Sequence, residues 1–217
     1  MKIISVAGTS SEAGKTTVGT FIIKALRDVC ALKVTVRHEG SCPRDKDTSC
    51  DGCSSEEESL FTVITDPAIL SDPGKDTARY LRAGAQKVVW LQTNSECARE
   101  GIRKSLKMFD DRAIILIEGN RFIAIRRADL AVMVVPSDLK KVKRSALEIF
   151  EKVDLFVINR RPGISEQAIA ATKARLESMG GKSGIIVIDP RNPEPEARDA
   201  LLARVRRAVK SPAGVAV

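Results

Sequence analysis

Aromatic side chains are scarce in this sequence. Its 217 residues hold six Phe, one Tyr and one Trp, with a single histidine, His38. Single-stranded nucleic acid is bound where bases stack on aromatics within a basic groove. The formal charge of +8 is therefore read as a basic solvated surface, or as a preference for small phosphorylated ligands, and nucleic acid is not expected as a partner. No apolar run approaches the ~20 residues that cross a bilayer, so no membrane partner is expected. The opening KIISVAG is too short for the apolar region of a secretory signal and runs straight into a polar loop, so a cytoplasmic location is expected. Cysteine is present in an odd number (Cys30, Cys42, Cys50, Cys53 and Cys97), which argues against a disulfide framework. Neither an internal repeat nor an interdomain linker is visible.

What the chain does have is a regular alternation of apolar β-branched runs with helical patterns. The periodicity predicts strands over 2–8, 32–38, 60–66, 87–93, 113–119, 130–136, 154–160 and 184–190. It predicts helices over 15–29, from Asp76 or Thr77 onward, and over 96–108, 139–152, 165–179 and 194–209. Continuously apolar strands separated by helices imply a mainly parallel sheet covered on both faces, a three-layer α/β/α arrangement. One domain over 1–209 is expected, with 210–217 as a frayed tail. Residues 38–58 show no apolar periodicity and carry three of the cysteines. An insertion loop of that length is expected to be functional. In such sheets ligands bind beyond the carboxyl ends of the strands.

The first strand ends in Gly8-Thr9-Ser10-Ser11-Glu12-Ala13-Gly14-Lys15-Thr16, followed by Thr17 and a helix. This is the chemistry of a phosphate-binding loop. Gly14 lets the backbone approach phosphate, and successive amides at the helix start form an anion nest. Lys15 can reach the β- and γ-phosphates, and the Thr16 hydroxyl can take a position on Mg²⁺. The expected nucleotide contacts are Gly8, Ser11, Glu12, Ala13, Gly14, Lys15, Thr16 and Thr17, for ATP or GTP. Hydrolysis or phosphoryl transfer needs a carboxylate near Mg²⁺ or the attacking group. Glu118, ending AIILIE, is the first candidate and Asp66, ending LFTVITD, the second. Asp189 and Asp129 are weaker, since one lies late in the chain and the other begins a strand.

The loop has five residues between its glycines, a spacing that resembles the deviant-loop NTPases: dethiobiotin synthetase and the cobyrinate and cobyric acid synthases. In that group the strand-end residue matching Asn159 often contacts the base; an Asx turn is the other reading. The stretch after it is NRRP, so the base is left open between adenine and guanine. Three further stretches resemble the molybdopterin-guanine dinucleotide biosynthesis protein B family, also P-loop NTPases. They are Arg37-His38, Pro73-Gly74-Lys75-Asp76-Thr77 leading to Ala83-Gly84-Ala85, and Glu118-Gly119. That resemblance implies nucleotide binding and hydrolysis, a homodimer, and service to a partner in metallocofactor assembly. A dethiobiotin-type ligase that activates a carboxylate is the alternative. Those enzymes carry Lys-Pro after the second strand, where this chain has Arg37-His38-Glu39. A nucleotide-gated metal adaptor without turnover is the third reading.

The segment HEGSCPRDKDTSCDGC sets His38-x3-Cys42-x7-Cys50-x2-Cys53. Three thiols and an imidazole suit tetrahedral zinc; three thiols with a fourth ligand, Cys97 or a partner's, suit an iron–sulfur cluster. The Asp51-Gly52 turn can aim Cys50 and Cys53 at one ion. Reduced thiols on a loop, with His38 facing the nucleotide, is the competing reading. Because the segment leaves the second strand, where switch segments of these NTPases lie, coupling of metal occupancy to nucleotide state is expected. Cys30 and Cys97 are read as core or surface thiols.

Overall fold

The computed structural model describes residues 1–37, 61–181 and 184–210. The ligand set His38, Cys42, Cys50 and Cys53, and the tail from 211, lie outside the described residues.

The strands are β1 (Lys2–Gly8), β2 (Val29–Val36), β3 (Phe61–Ile64), β4 (Val88–Thr93), β5 (Ile114–Glu118), β6 (Leu130–Pro136), β7 (Leu155–Asn159) and β8 (Gly184–Ile188). The helices are α1 (Lys15–Ala25), α2 (Pro67–Leu70), α3 (Asp76–Arg82), α4 (Ala98–Leu106), α5 (Asn120–Ile125), α6 (Arg144–Leu147), α7 (Glu166–Ser178) and α8 (Pro195–Lys210). The strands lie side by side in the order β3-β4-β2-β5-β1-β6-β7-β8. All pairs are parallel except β3 with β4. This is the expected three-layer α/β/α architecture.

Because side chains alternate along each strand, the sheet feeds two apolar layers. One face meets α4, α5 and α7 through Leu91, Ile102, Ile117, Phe122, Phe156 and Leu176. The other meets α1, α3 and α8 through Ile4, Val18, Ile22, Tyr80, Leu116 and Leu201. From β1 the chain crosses to β2 and returns through β4 to β5, then passes to β6 on the other side of β1. The carboxyl end of β1 is thus the switch point at which α/β sheets open a binding crevice. Among the described residues no helix is long and apolar enough to cross a membrane.

Four expectations change. The first helix stops at Ala25 rather than 29, because the chain turns at Asp28 (φ 61) and enters β2 at Val29. Cys30 is therefore a buried strand residue, not a helix end. The helix expected over 139–152 is reduced to α6 and a 3-10 turn at Phe150–Lys152. Its first residues hydrogen-bond elsewhere. Leu139 N donates to Thr172 Oγ1 (3.1 Å), Arg175 Nη1 donates to Leu139 O and Lys140 O (both 3.1 Å), and Lys143 N donates to Thr9 O (2.9 Å). The short helix α5 directly after β5 was not expected. Finally, β3 runs antiparallel at the sheet edge, so its end points away from the carboxyl ends of the other strands.

Candidate functional site

The loop between β1 and α1 is clamped from three sides. Asn120, the first residue of α5, accepts from Gly8 N (2.9 Å) and donates to Gly8 O (3.0 Å). Thr9 N donates to Val134 O of β6 (3.1 Å). Asn159, ending β7, donates from Nδ2 to Ala13 O (3.0 Å), and the Arg161 guanidinium donates to Glu12 O. Gly14 caps α1 with φ +96, a left-handed conformation, and a Cβ there would collide with Asn159 Nδ2. A Cβ on Gly8 would lie 2.8 Å from Lys15 Cγ, so that glycine leaves room for the lysine stem. No side chain caps α1, so its first amides are available to an anion. Lys15 Nζ rests on Ser10 O and Ser11 O (3.2 Å each). Burial, assisted by the charges of Lys33 and Lys143 against those of Glu118 and Asp76, lowers its pKa to about 8.

Beneath α1 lies a cluster built by sheet register. In the parallel ladder Lys33 of β2 and Val6 of β1 are both opposite Glu118 of β5. The pleat turns Lys33 and Glu118 to the same face as Ala31 and Leu116, toward α1 and α3. There Thr16 Oγ1 donates to Glu118 Oε2 (3.0 Å), and the Tyr80 hydroxyl donates to the same oxygen. Lys33 Nζ is 2.6 Å from Glu118 Oε1 and 2.6 Å from Asp76 Oδ2. The Thr16 hydroxyl is also among the groups that lower the pKa of Asp76. Burial opposes the charge of Asp76, yet Lys33 outweighs it and holds the carboxyl below its usual range. Burial likewise works against the Lys33 ammonium, but Glu118 and Asp76 raise its pKa above the ordinary value. Burial, then Glu118, pushes the Tyr80 phenol well above 10.0. A hydroxyl and two carboxyl groups are hard oxygen donors, with Thr16 at the foot of the phosphate loop. That set suits Mg²⁺, which keeps waters and takes one or two carboxylates beside phosphate oxygens.

The structure thus brings Lys15, Thr16 and Glu118 together as expected, with Gly8, Ala13 and Gly14 in the wall of the loop. Ser11 and Glu12 are exposed on its outer side. Thr17 Oγ1 accepts from Arg79 Nη2 (3.1 Å). Asn159 is 7% exposed and braces the loop, a different placement from the expected base contact. Asp66 is not brought to the site. It follows antiparallel β3, three strands from β5 or roughly 14 Å at ordinary strand spacing, and its Oδ1 accepts from Ala68 N (2.8 Å) to cap α2. Asp76, joined to Glu118 through Lys33, stands where Asp66 was expected. Asp129 holds Lys2 Nζ (2.9 Å) and Ile3 N (2.8 Å), and Asp189 accepts from Arg191 N (2.9 Å) in a turn. Cys30 and Cys97 are free thiols.

Sequence reasoning missed Lys33, Asp76, Tyr80 and Asn120 as site residues. Each had a faint signal. Lys33 is the one cation inside the apolar VCALKVTV. Asp76 and Tyr80 stand four apart, on one face of a helix. Asn120 immediately follows Glu118-Gly119.

No family model and no curated protein matches this chain by sequence. Among solved structures it is similar to HypB from Helicobacter pylori, determined in complex with nickel. The TM-score is 0.56 and the identity 11%, over 97% of this chain and 90% of that one. At this identity the likeness concerns the fold, and it agrees with the loop and the strand order in showing that the chain has the P-loop NTPase fold.

Proposed function

We propose that the chain is a Mg²⁺-dependent nucleoside triphosphatase of metallocofactor maturation, binding ATP or GTP at residues 8–17. The observation that carries this reading is the meeting of three parts. Gly14 is left-handed at an uncapped helix start, Lys15 lies across the loop, and Thr16 is 3.0 Å from the buried carboxyl of Glu118. Loop amides and the Lys15 ammonium bind the polyphosphate and carry charge as it develops on the transferred group. Thr16, Asp76 and Glu118 would hold Mg²⁺, which supplies charge neutralisation at the β- and γ-oxygens. Glu118 also orients the attacking water, and Tyr80 fixes the rotamer of that carboxyl.

Service to a metallocofactor is supported by the resemblance of Arg37-His38, the PGKDT run and Glu118-Gly119 to the molybdopterin-guanine dinucleotide biosynthesis protein B family, and by a structural neighbour holding nickel. A cytoplasmic homodimer acting with an assembly partner belongs to the same proposal, as does zinc or an iron–sulfur cluster at His38, Cys42, Cys50 and Cys53. The test is phosphate release by purified protein with Mg²⁺ and ATP or GTP, with Lys15→Ala as control. Release without an acceptor, lost in the variant, supports the triphosphatase. Release only with a carboxylate acceptor would mean a ligase, and tight binding without release an adaptor.

A further inference from the structure

A lysine inside a buried strand needs an anion, because an isolated buried ammonium is costly. Lys33 sits between Leu32 (0% exposed) and Val34 (6%) in β2, the second neighbour of β1. Its ammonium is placed on an oxygen of Glu118 and an oxygen of Asp76, at 2.6 Å from each. Glu118 is 1% exposed, so solvent does little to screen the pair. Both oxygens belong to the group that would hold Mg²⁺ on the reading above. Mg²⁺ binds oxygen at about 2.1 Å. Mg²⁺ and an ammonium sharing one carboxyl oxygen would stand within a few ångströms in a buried pocket, where like charges repel strongly. The two cations therefore compete for Asp76 and Glu118.

The ion that displaces Lys33 must also leave its ammonium with an anion. Free Mg²⁺ brings none, whereas a Mg²⁺-triphosphate brings several, delivered to the loop directly above Thr16. We infer that Lys33 is a built-in substitute for the divalent cation. It holds Asp76 and Glu118 together before nucleotide binds, refuses free Mg²⁺, and yields the two carboxyls only to Mg²⁺ that arrives with a triphosphate. The inference rests on the nucleotide reading and adds to it the selectivity of the metal position.

Mn²⁺ serves as the probe, titrated into wild-type protein and Lys33→Met, each with and without a nonhydrolysable triphosphate, and followed by the loss of free Mn²⁺ resonance. Wild type is expected to take up Mn²⁺ only with the triphosphate. Lys33→Met is expected to bind Mn²⁺ alone, about tenfold or more tighter than wild type does. Thermal unfolding gives a second readout: Lys33→Met should melt lower without divalent ion and recover with Mn²⁺, while the ligand-free wild type is unmoved by it. Equal or weaker binding of Mn²⁺ alone by Lys33→Met overturns the inference. So does wild type that binds Mn²⁺ as tightly without triphosphate as with it, a measurement needing no variant. If the triphosphate itself does not bind, the nucleotide reading falls instead, and the titrations with Mn²⁺ alone still report on Lys33.

Discussion

Raising the pH from 7 to 9 should weaken triphosphate binding by about tenfold, and one side chain accounts for it. Lys15 lies folded against Ser10 O and Ser11 O, half-buried, with Lys33 and Lys143 nearby, and its pKa is lowered to about 8. Only the ammonium form can pair with phosphate. A bound polyphosphate places several negative charges beside it and restores the ordinary high pKa. The free protein then carries the ammonium in roughly nine-tenths of molecules at pH 7 and about one-tenth at pH 9, which sets the tenfold loss. Terminal phosphate groups titrate near pH 6 and contribute little above 7. Calorimetric titration with a nonhydrolysable triphosphate, in buffers of different ionisation enthalpy, would show proton uptake growing through pH 8. Lys15→Met should bind weakly and without this slope. A flat wild-type affinity between pH 7 and 9 would refute the reasoning. The same lowered pKa has a consequence for folding. Between about 8 and 10.5 the unfolded chain binds the Lys15 proton more than the folded chain does, so the contribution of this group makes ligand-free protein more stable as pH rises through that window.

Three further outcomes are expected. Gly14→Ala forces a side chain into a left-handed position and against Asn159; it should cost about 1–3 kcal/mol in denaturant unfolding and reduce nucleotide affinity, and unchanged values would show the loop to be pliable there. Glu118→Gln keeps the shape of the side chain but loses its charge; phosphate release should fall about a hundredfold or more, and an unaltered rate would remove Glu118 from the reaction. Cys50→Ser with Cys53→Ser should lower the metal content of anaerobically purified protein and change nucleotide turnover; if both stay as in wild type, the proposed coupling through residues 38–58 fails.

The phosphate loop was legible in the chain because its chemistry is local. Gly8, Gly14, Lys15 and Thr16 act through neighbouring backbone and one helix start. Glu118 was legible for the same reason, as an acid ending an apolar strand. The alternation of strand and helix patterns likewise carried the α/β architecture, since each element reports its own burial through periodicity. Lys33, Asp76 and Tyr80 were not legible as partners of Glu118. They stand 85, 42 and 38 residues from it in the chain and meet only because β2 lies beside β5 and α3 packs over both. Strand order is a long-range choice that no window of sequence displays. The direction of β3 is another such choice, and it removed Asp66 from the site while leaving its strand pattern intact. Residues 139–143 have a helical pattern, yet Thr172, Arg175 and Thr9 offer their backbone groups better partners. Local pattern thus determined which elements form and which loop has the chemistry to bind phosphate. Tertiary structure decided which charges face one another there, because a buried charge is settled by its neighbours in space.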